Sequence, residues 1–292
     1  MSTPSDQTKN QTLEPHIPIT RTSLIPITFL TIMALLMMFP LVWMLSASLK
    51  VPATAMKIPP ELWPYEWRFE NYVKVMTHPQ VPLILFFGNS LKIAVLVTLG
   101  QLVTTTMAAY AFAHIQFPAR NIIFLILLSA LMIPGQITLI PLWILMRSLG
   151  LIDTHAALII PSITSIFGVF LLRQFFLQIP RELSEAAKVD GANHLRILVQ
   201  IMIPLVAPAL TTLAIITFVG AWNNFLGPLI FLQSWENFTW PQGIVMLRGQ
   251  YGEGAITQQM AAVTLGVIPV MIFFIAANRK IIQAISMSSG IK

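Results

Sequence analysis

Apolar residues in this chain do not alternate with polar ones. They gather in long blocks separated by polar loops. A bilayer core is crossed by about 20 consecutive apolar residues in a helix, and six blocks meet that need: Leu24–Leu49, Leu83–Ala113, Ile122–Met146, Ala156–Leu172, Ala209–Leu232 and Ala255–Asn278. Lys92 is the one charged residue inside any of them. In lipid the backbone N–H and C=O groups find no water, so a spanning segment is either a helix or a strand of a closed barrel. Barrel strands would show segments of about ten residues with period-two alternation, and the blocks do not. The pattern predicts an all-α, polytopic membrane protein of one domain. A tail over 1–23 precedes a six-helix transmembrane domain over 24–279, and a second tail follows over 280–292. The first block is too long for a signal-peptide core and lacks a small-residue cleavage site, so it reads as an uncleaved span.

Composition supports this reading. Of 292 residues 56% are hydrophobic and 10% charged, whereas soluble domains carry about 25% charged residues. That is too little charge to cover a water-facing surface. The net charge of +6 comes from scattered Lys and Arg without a basic run, so it reads as a topology signal and not as a nucleic-acid surface. With both termini in the cytoplasm, ten basic residues lie inside (Lys9, Arg21, Arg120, Arg173, Arg181, Lys188, Arg196, Arg279, Lys280, Lys292) and six outside (Lys50, Lys57, Arg68, Lys74, Arg147, Arg248). Positive residues resist translocation, so this orientation is favoured. The first outer loop also holds Trp63, Tyr65, Trp67 and Tyr72; it suits either an interfacial segment or a docking surface for an external partner. There is no cysteine, which excludes disulfides, thiolate metal sites and a Cys nucleophile. No Gly-Lys-Ser/Thr occurs, so no P-loop is present. His16, His78, His114, His155 and His194 are too dispersed for a metal site. Asn237-Phe238-Thr239 fits a glycosylation sequon, a pattern frequent by chance.

The polar loop over 179–204 is the most informative stretch. Pro180 suits the first turn of a helix. Glu182 and Glu185 lie near its positive end and Lys188 near its negative end. Gly191 suits a left-handed stop, and Asn193 can cap a second short helix running to Pro204. Leu183, Ala186 and Ala187 fall at helical spacing on one face, a low ridge able to lie in a groove of another protein. A charged amphipathic loop between spans is equally what a plain solvated connection looks like.

The order of residues narrows the choice. Glu185-Ala186-Ala187, Asp190-Gly191-Ala192, Ile201-Met202-Ile203-Pro204 and Pro208 together resemble, in register from Glu185 to Leu210, the EAA loop of permease subunits of binding-protein-dependent ABC importers. Met132-Ile133-Pro134 with Ile140-Pro141, Gly150-Leu151-Ile152-Asp153-Thr154, Leu172-Arg173-Gln174-Phe175-Phe176 and Ala221-Trp222-Asn223-Asn224-Phe225 look like the MalG-like carbohydrate-permease subfamily. So do Glu70-Asn71-Tyr72 and Gly249-Gln250-Tyr251-Gly252. The likeness covers roughly Trp67 to Tyr251; the N-terminal tail has no family pattern, and Lys280–Lys292 follows the family only loosely.

The resemblance implies a type I ABC importer permease fold in a bacterial plasma (inner) membrane, forming half of a pathway for a sugar or sugar-like solute. It implies a second related permease subunit, two ATP-binding cassette subunits and an extracytoplasmic solute-binding protein. ATP and Mg would be held by the cassette subunits, with no cofactor, no metal and no catalytic residue on this chain. Leu183, Glu185, Ala186, Ala187, Asp190 and Gly191 would make the coupling contact: Glu185 anchoring by charged hydrogen bonds, the alanines packing closely, Gly191 turning the chain.

Polar groups inside spans usually face the bundle interior. Trp222, Asn223 and Asn224 suit a carbohydrate path, since amides bond hydroxyls and an indole stacks on a sugar face; they equally suit interhelical bonding. Thr104, Thr105 and Thr106 read as bonding to their own helix or packing on a neighbour, Gln136 and Thr138 as serving carbonyls freed at Pro134, and Lys92 as snorkelling outward or pairing with a partner subunit. Other solutes, such as a glycerol phosphate ester, a polyol or a peptide, remain open. An ion-gradient transporter would want intramembrane carboxylates, and the spans contain no Asp or Glu. A membrane hydrolase or transferase would want a His, Asp, Glu or Cys cluster, and none is visible.

Overall fold

The computed structural model describes residues 21–289, apart from 56, 59–60 and 252–255; for 21–25, 248–251 and 278–289 it describes the backbone path alone. Fifteen α-helices appear among the described residues, and no strand: α1 (Arg21–Ser48), α2 (Pro52–Ala55), α3 (Glu70–Met76), α4 (Leu83–His114), α5 (Arg120–Ser129), α6 (Gly135–Ser148), α7 (Ala156–Ser162), α8 (Ile166–Leu177), α9 (Arg181–Val189), α10 (His194–Ile197), α11 (Ile203–Leu205), α12 (Ala207–Trp222), α13 (Leu226–Phe231), α14 (Trp240–Tyr251) and α15 (Ile256–Ser289).

The chain divides into two units, one up to Trp43 and one from Met44. In the first, the described residues form an apolar helix with side chains such as Phe29, Leu35 and Met37 exposed. Helix α1 is described from Arg21, so it includes the last residues of the expected 1–23 tail. Residues 1–20 of that tail lie outside the described residues.

In the second unit α4 is the central element. Its 32 residues run without a break, and they pack against α8, α12 and α7. Three apolar clusters lie along it. One gathers Ala109, Tyr110, Phe124, Leu172, Phe176, Ile197 and Met202. A second gathers Leu83, Phe86, Phe218, Trp222, Trp240 and Leu247. The third gathers Ile93, Val97, Met146, Leu158 and Phe231. Gly168 lets α8 approach closely: a Cβ there would sit 2.8 Å from Thr105 Cγ2.

Among the described residues four helical segments are long and apolar enough to cross a membrane, and six if two bent pairs each count as one span. The predicted spans at Leu83–Ala113 and Ala255–Asn278 match α4 and the first part of α15, with Ala255 outside the described residues. The predicted span at Leu24–Leu49 matches α1, and the third, fourth and fifth are less regular than hydropathy suggested. The expected third span is a broken one: Arg120–Met132 and Gly135–Ser148 meet at 101°. The cause is Pro134, whose backbone is extended (φ −59°, ψ 129°) ahead of α6. The expected fourth is two helices parted at Ile163–Ser165 and continues to Leu177. The expected fifth begins at Ala207, ends at Trp222 and resumes as α13; before it, His194–Leu205 joins at 83°. Helix α15 carries its backbone on to Ser289, through most of the expected C-terminal tail.

Backbone groups freed at a break inside lipid need partners, and α4 supplies them at the α7–α8 break. Gln101 Nε2 donates to Ser162 O at 2.8 Å, Thr104 Oγ1 donates to Ile163 O, and Ser165 N donates to Thr105 Oγ1. Thr104 and Thr105 therefore mend a neighbouring span, while Thr106 bonds back to Leu102 O of its own helix.

The segment between α1 and α4 is tied to the end of α1. Buried Asn71 donates to the carbonyls of Ser48 and Lys50 (2.8 and 3.0 Å), and the Ser48 hydroxyl meets Tyr72 Oη at 2.6 Å. Lys50 donates to Glu61 O, and burial pushes its ammonium below the ordinary lysine value. Trp63, Tyr65 and Trp67 stay exposed.

Candidate functional site: the α9 coupling helix and a polar cavity

Helix α9 starts one residue later than the sequence suggested: Pro180 is extended (φ −55°, ψ 135°) and precedes the first turn. Glu182 lies in the first turn and Lys188 in the last, as the macrodipole favours. The helix ends in a Schellman turn. Gly191 takes φ +81°, its N–H donates to Lys188 O at 3.0 Å, and Ala192 N–H donates to Ala187 O at 2.9 Å. Asn193 then caps α10, its Oδ1 accepting from Arg196 N at 2.8 Å. Instead of stopping at Pro204, the second helix widens through a five-residue π-turn at Leu198–Met202 and continues to Leu205.

Leu183, Ala186 and Ala187 lie within about 100° of one another on α9, as their spacing predicts, but they are not equally free. Leu183 and Ala186 are exposed; Ala187 is half-buried against the first apolar cluster, beside buried Ser184. At about 100° per residue Ala187 lies at the edge of that face, about 40° from Leu183 and about 60° from Ser184, and there it meets the side packed on the bundle. The outward strip is Glu182, Leu183, Ala186, Val189 and Asp190. Val189, 88% exposed, was missed; its spacing from Ala186 was the available signal. Glu185 is exposed on the flank of that strip.

The second site is a cavity of about 300 Å³ among α4, α7, α8, α12 and α13. Ser90, Gln101, Ser162, Ser165, Thr217, Asn224 and Thr239 give it a polar lining, and Ile93, Val97, Phe167 and Ile216 an apolar one. Among the described residues no charged side chain lines it. Gln101 holds the wall together: while its Nε2 donates to Ser162 O, its Oε1 accepts from Thr217 Oγ1 at 2.8 Å. Sequence reasoning passed over Gln101 and Ser90, although their eleven-residue spacing places both on one face of α4.

Of the three residues expected on the cargo path, Asn224 lines the cavity; its Oδ1 also accepts from Gly227 N at 3.1 Å, starting α13. Asn223 is exposed and is not part of the lining. Trp222 is enclosed at 2% exposure, stacks on Phe218 and donates Nε1–H to Gly266 O at 3.0 Å. Its indole is a packing element between α12 and α15 and presents no face to a sugar in this conformation. The non-helical backbone at Asn223–Phe225 fits the rule that irregular backbone at membrane depth lines a cavity or is buried in protein.

A further cluster organises the stretch between α13 and α14. Asp153, in a left-handed conformation (φ 62°), accepts from Gln233 N (2.8 Å), Ser234 N (2.9 Å), the Ser234 hydroxyl and Asn237 Nδ2 (3.2 Å). These donors, the Ser234 hydroxyl foremost, hold its carboxyl well below the usual carboxylate range. Asn237, the sequon residue, also donates to Asp153 O at 2.7 Å and so serves this latch. Lys92 pairs within its own chain: Nζ meets His155 Nδ1 at 3.2 Å, and His155 Nε2 meets Asn237 O at 3.0 Å. A neutral imidazole with its proton on Nε2 satisfies both contacts. Burial pushes His155 below its ordinary value, in keeping with that form.

Comparison with known proteins gives a consistent picture. Residues 101–287 match the family described as binding-protein-dependent transport system inner membrane component. The chain is 34% identical over 261 residues to the arabinooligosaccharides transport system permease protein AraQ of Halalkalibacterium halodurans, covering 89% of this chain and 92% of that one. It is 34% identical over 258 residues to the trehalose/maltose transport system permease protein MalG of Thermococcus litoralis, covering 87% and 92%. Its fold matches, with a TM-score of 0.76 and 24% identity, a chain in the crystal structure of a bacterial ABC transporter involved in the import of the acidic polysaccharide alginate; 89% of this chain and 98% of that one are covered. With a helical fold shared across nearly its whole length and relatives that are permeases end to end, the chain belongs to the inner membrane components of binding-protein-dependent ABC importers.

Proposed function

We propose that this permease subunit forms half of a translocation path for a sugar or oligosaccharide and receives its driving motion through α9. The observation that carries the reading is the outward strip of α9. Leu183, Ala186 and Val189 stand exposed between charged residues on a helix locked at its end by Gly191, a shape suited to a groove on an ATP-binding subunit. A second, related permease subunit would complete the path, and a second ATP-binding subunit would dock on it. An extracytoplasmic solute-binding protein would deliver cargo. ATP and Mg belong to the cassette subunits, and both termini of this chain face the cytoplasm.

Sugar cargo follows from the relatives, whose names are those of arabinooligosaccharide and trehalose/maltose permeases, and from the chemistry of the cavity. Neutral hydroxyl and amide groups with Phe167 beside them suit a hydroxyl-rich, uncharged solute. A glycerol phosphate ester would want a cation there, and none lines the wall among the described residues. Alternating access then arises when closure of the ATPase dimer pushes α9 and rocks the helices around the cavity. The test is reconstitution of the complete transporter in liposomes with a panel of oligosaccharides, polyols and glycerol phosphate esters. ATP-dependent uptake of an oligosaccharide is expected. Uptake driven by an ion gradient without ATP, or of a phosphate ester alone, would overturn the reading.

A further inference from the structure

Motion delivered to α9 has two routes to the cavity. The covalent one runs through α10 and the π-turn to α11, then turns by 83° at Val206 before α12 begins. A bend of that size makes this path an indirect one. The other route crosses directly to α4, where Ile197 and Met202 pack in one apolar cluster with Ala109 and Tyr110 and a polar contact fixes the direction. Tyr110 is buried (3% exposed), and its hydroxyl meets Nδ1 of His194, the first residue of α10, at 3.1 Å. The phenol ring is fixed on both sides, stacked on His114 at 5.4 Å and edge-on to Phe176 at 6.0 Å. His114 is itself held by Nε2 on Phe176 O at 3.1 Å. The hydroxyl therefore has a set direction, and on α10 it reaches the turn immediately after the Gly191–Asn193 link.

Helix α4 is an unbroken rod of 32 residues. Nine residues from Tyr110, about 13.5 Å along the axis, it presents Gln101, which holds the Ser162 carbonyl and Thr217 around the cavity. We infer that Tyr110 is a positioning residue: its bond to His194 couples the α9–α10 turn to α4 and so carries displacement of the coupling helix to the Gln101 wall. The inference rests on the docking of α9 proposed above and adds the path by which that docking reaches the cavity.

The test uses the complete transporter with cysteine-free partner subunits; this chain has no native cysteine. Val189→Cys reports docking of α9 through cross-linking to an ATP-binding subunit. Separately, Ile216→Cys in the cavity wall reports the conformational change, read as the difference in maleimide labelling between the nucleotide-free and ATP–vanadate states. Tyr110→Phe removes only the hydroxyl. It is expected to keep the cross-link and the assembled complex, while shrinking the labelling difference about fivefold, which corresponds to about 1 kcal/mol, the scale of one neutral hydrogen bond. His194→Ala, on an exposed residue, is expected to give the same loss, and the double variant no further loss. His194→Asn, which keeps a polar atom near the Nδ1 position, is expected to restore most of the change. A wild-type labelling difference in Tyr110→Phe or His194→Ala, or additive losses in the double variant, would overturn the inference. Absence of the Val189→Cys cross-link in an otherwise unmodified chain would instead overturn the docking of α9, and the path with it.

Discussion

Replacing Gly191 isolates a backbone effect from a side-chain one. A Cβ placed there meets nothing within 4 Å, so no clash arises. The residue nevertheless holds φ +81°, and a left-handed conformation costs a residue with a Cβ about 1–2 kcal/mol. Gly191→Ala should therefore destabilise the turn by about that amount, a factor of about 5 to 30 in its population. Gly191→Asn should cost less, because asparagine tolerates this region. Gly191→Pro should do worst, since it fixes φ near −65° and removes the N–H that bonds Lys188 O. Hydrogen exchange at the amides of 191 and 192 in detergent would read the turn directly for Gly and Ala. ATP-driven uptake by the reconstituted transporter would read its consequence for all four, in the order Gly, Asn, Ala, Pro, with hydrolysis uncoupled from uptake in the last. If Ala exchanged as slowly as Gly, or Asn proved worse than Ala, the left-handed stop would not be what holds α9 in place.

Other perturbations separate packing from docking. Ala187→Leu should overpack the bundle side of α9, lowering thermal stability by about 1–3 kcal/mol and abolishing uptake. Ala186→Leu, on the exposed strip, should leave stability unchanged and reduce co-purification of the ATP-binding subunit. Gln101→Leu strands the Ser162 carbonyl and Thr217 Oγ1 together, so a loss of about 1–3 kcal/mol and a lower melting temperature are expected, with a smaller loss for Thr217→Val. For Asp153 the sign follows from its lowered pKa. A carboxylate held below its free value of about 3.9 stabilises the fold in full above that value and loses its contribution only as pH falls toward the folded value. Protection of the 232–238 stretch from protease should thus be constant between pH 7 and pH 5, whereas Asp153→Asn should expose it throughout.

Much of this was legible in the sequence where a single local rule decides. Hydropathy located the spans because lipid imposes helices on apolar blocks. Gly191 and Asn193 declared the turn and the cap because each acts within four residues of itself. Hydropathy says nothing about where a span bends, so Pro134 read as a local disturbance when it turns the chain through 101°. Spacing placed Ala186 and Ala187 together because both are small and apolar, and the difference between them appears only once one side of α9 meets the bundle. Trp222 looked like a cargo residue until its N–H found the carbonyl of Gly266, 44 positions away. Gln101 was overlooked because its partners, Ser162 and Thr217, come from two other helices.

The length of α4 has a consequence for how lipid acts on this protein. Its 32 residues rise about 48 Å, against a hydrocarbon layer of about 30 Å. About 18 Å of overhang lets it accommodate a thicker or thinner bilayer by tilt. Helix α12, with 16 residues and about 24 Å, has no such reserve and depends on the break at Asn223–Phe225 and on α13 to complete the distance. Hydrophobic mismatch therefore falls first on the cavity wall beside Asn224. Acyl-chain length is thus expected to act on the cavity wall beside Asn224 before it acts on α9.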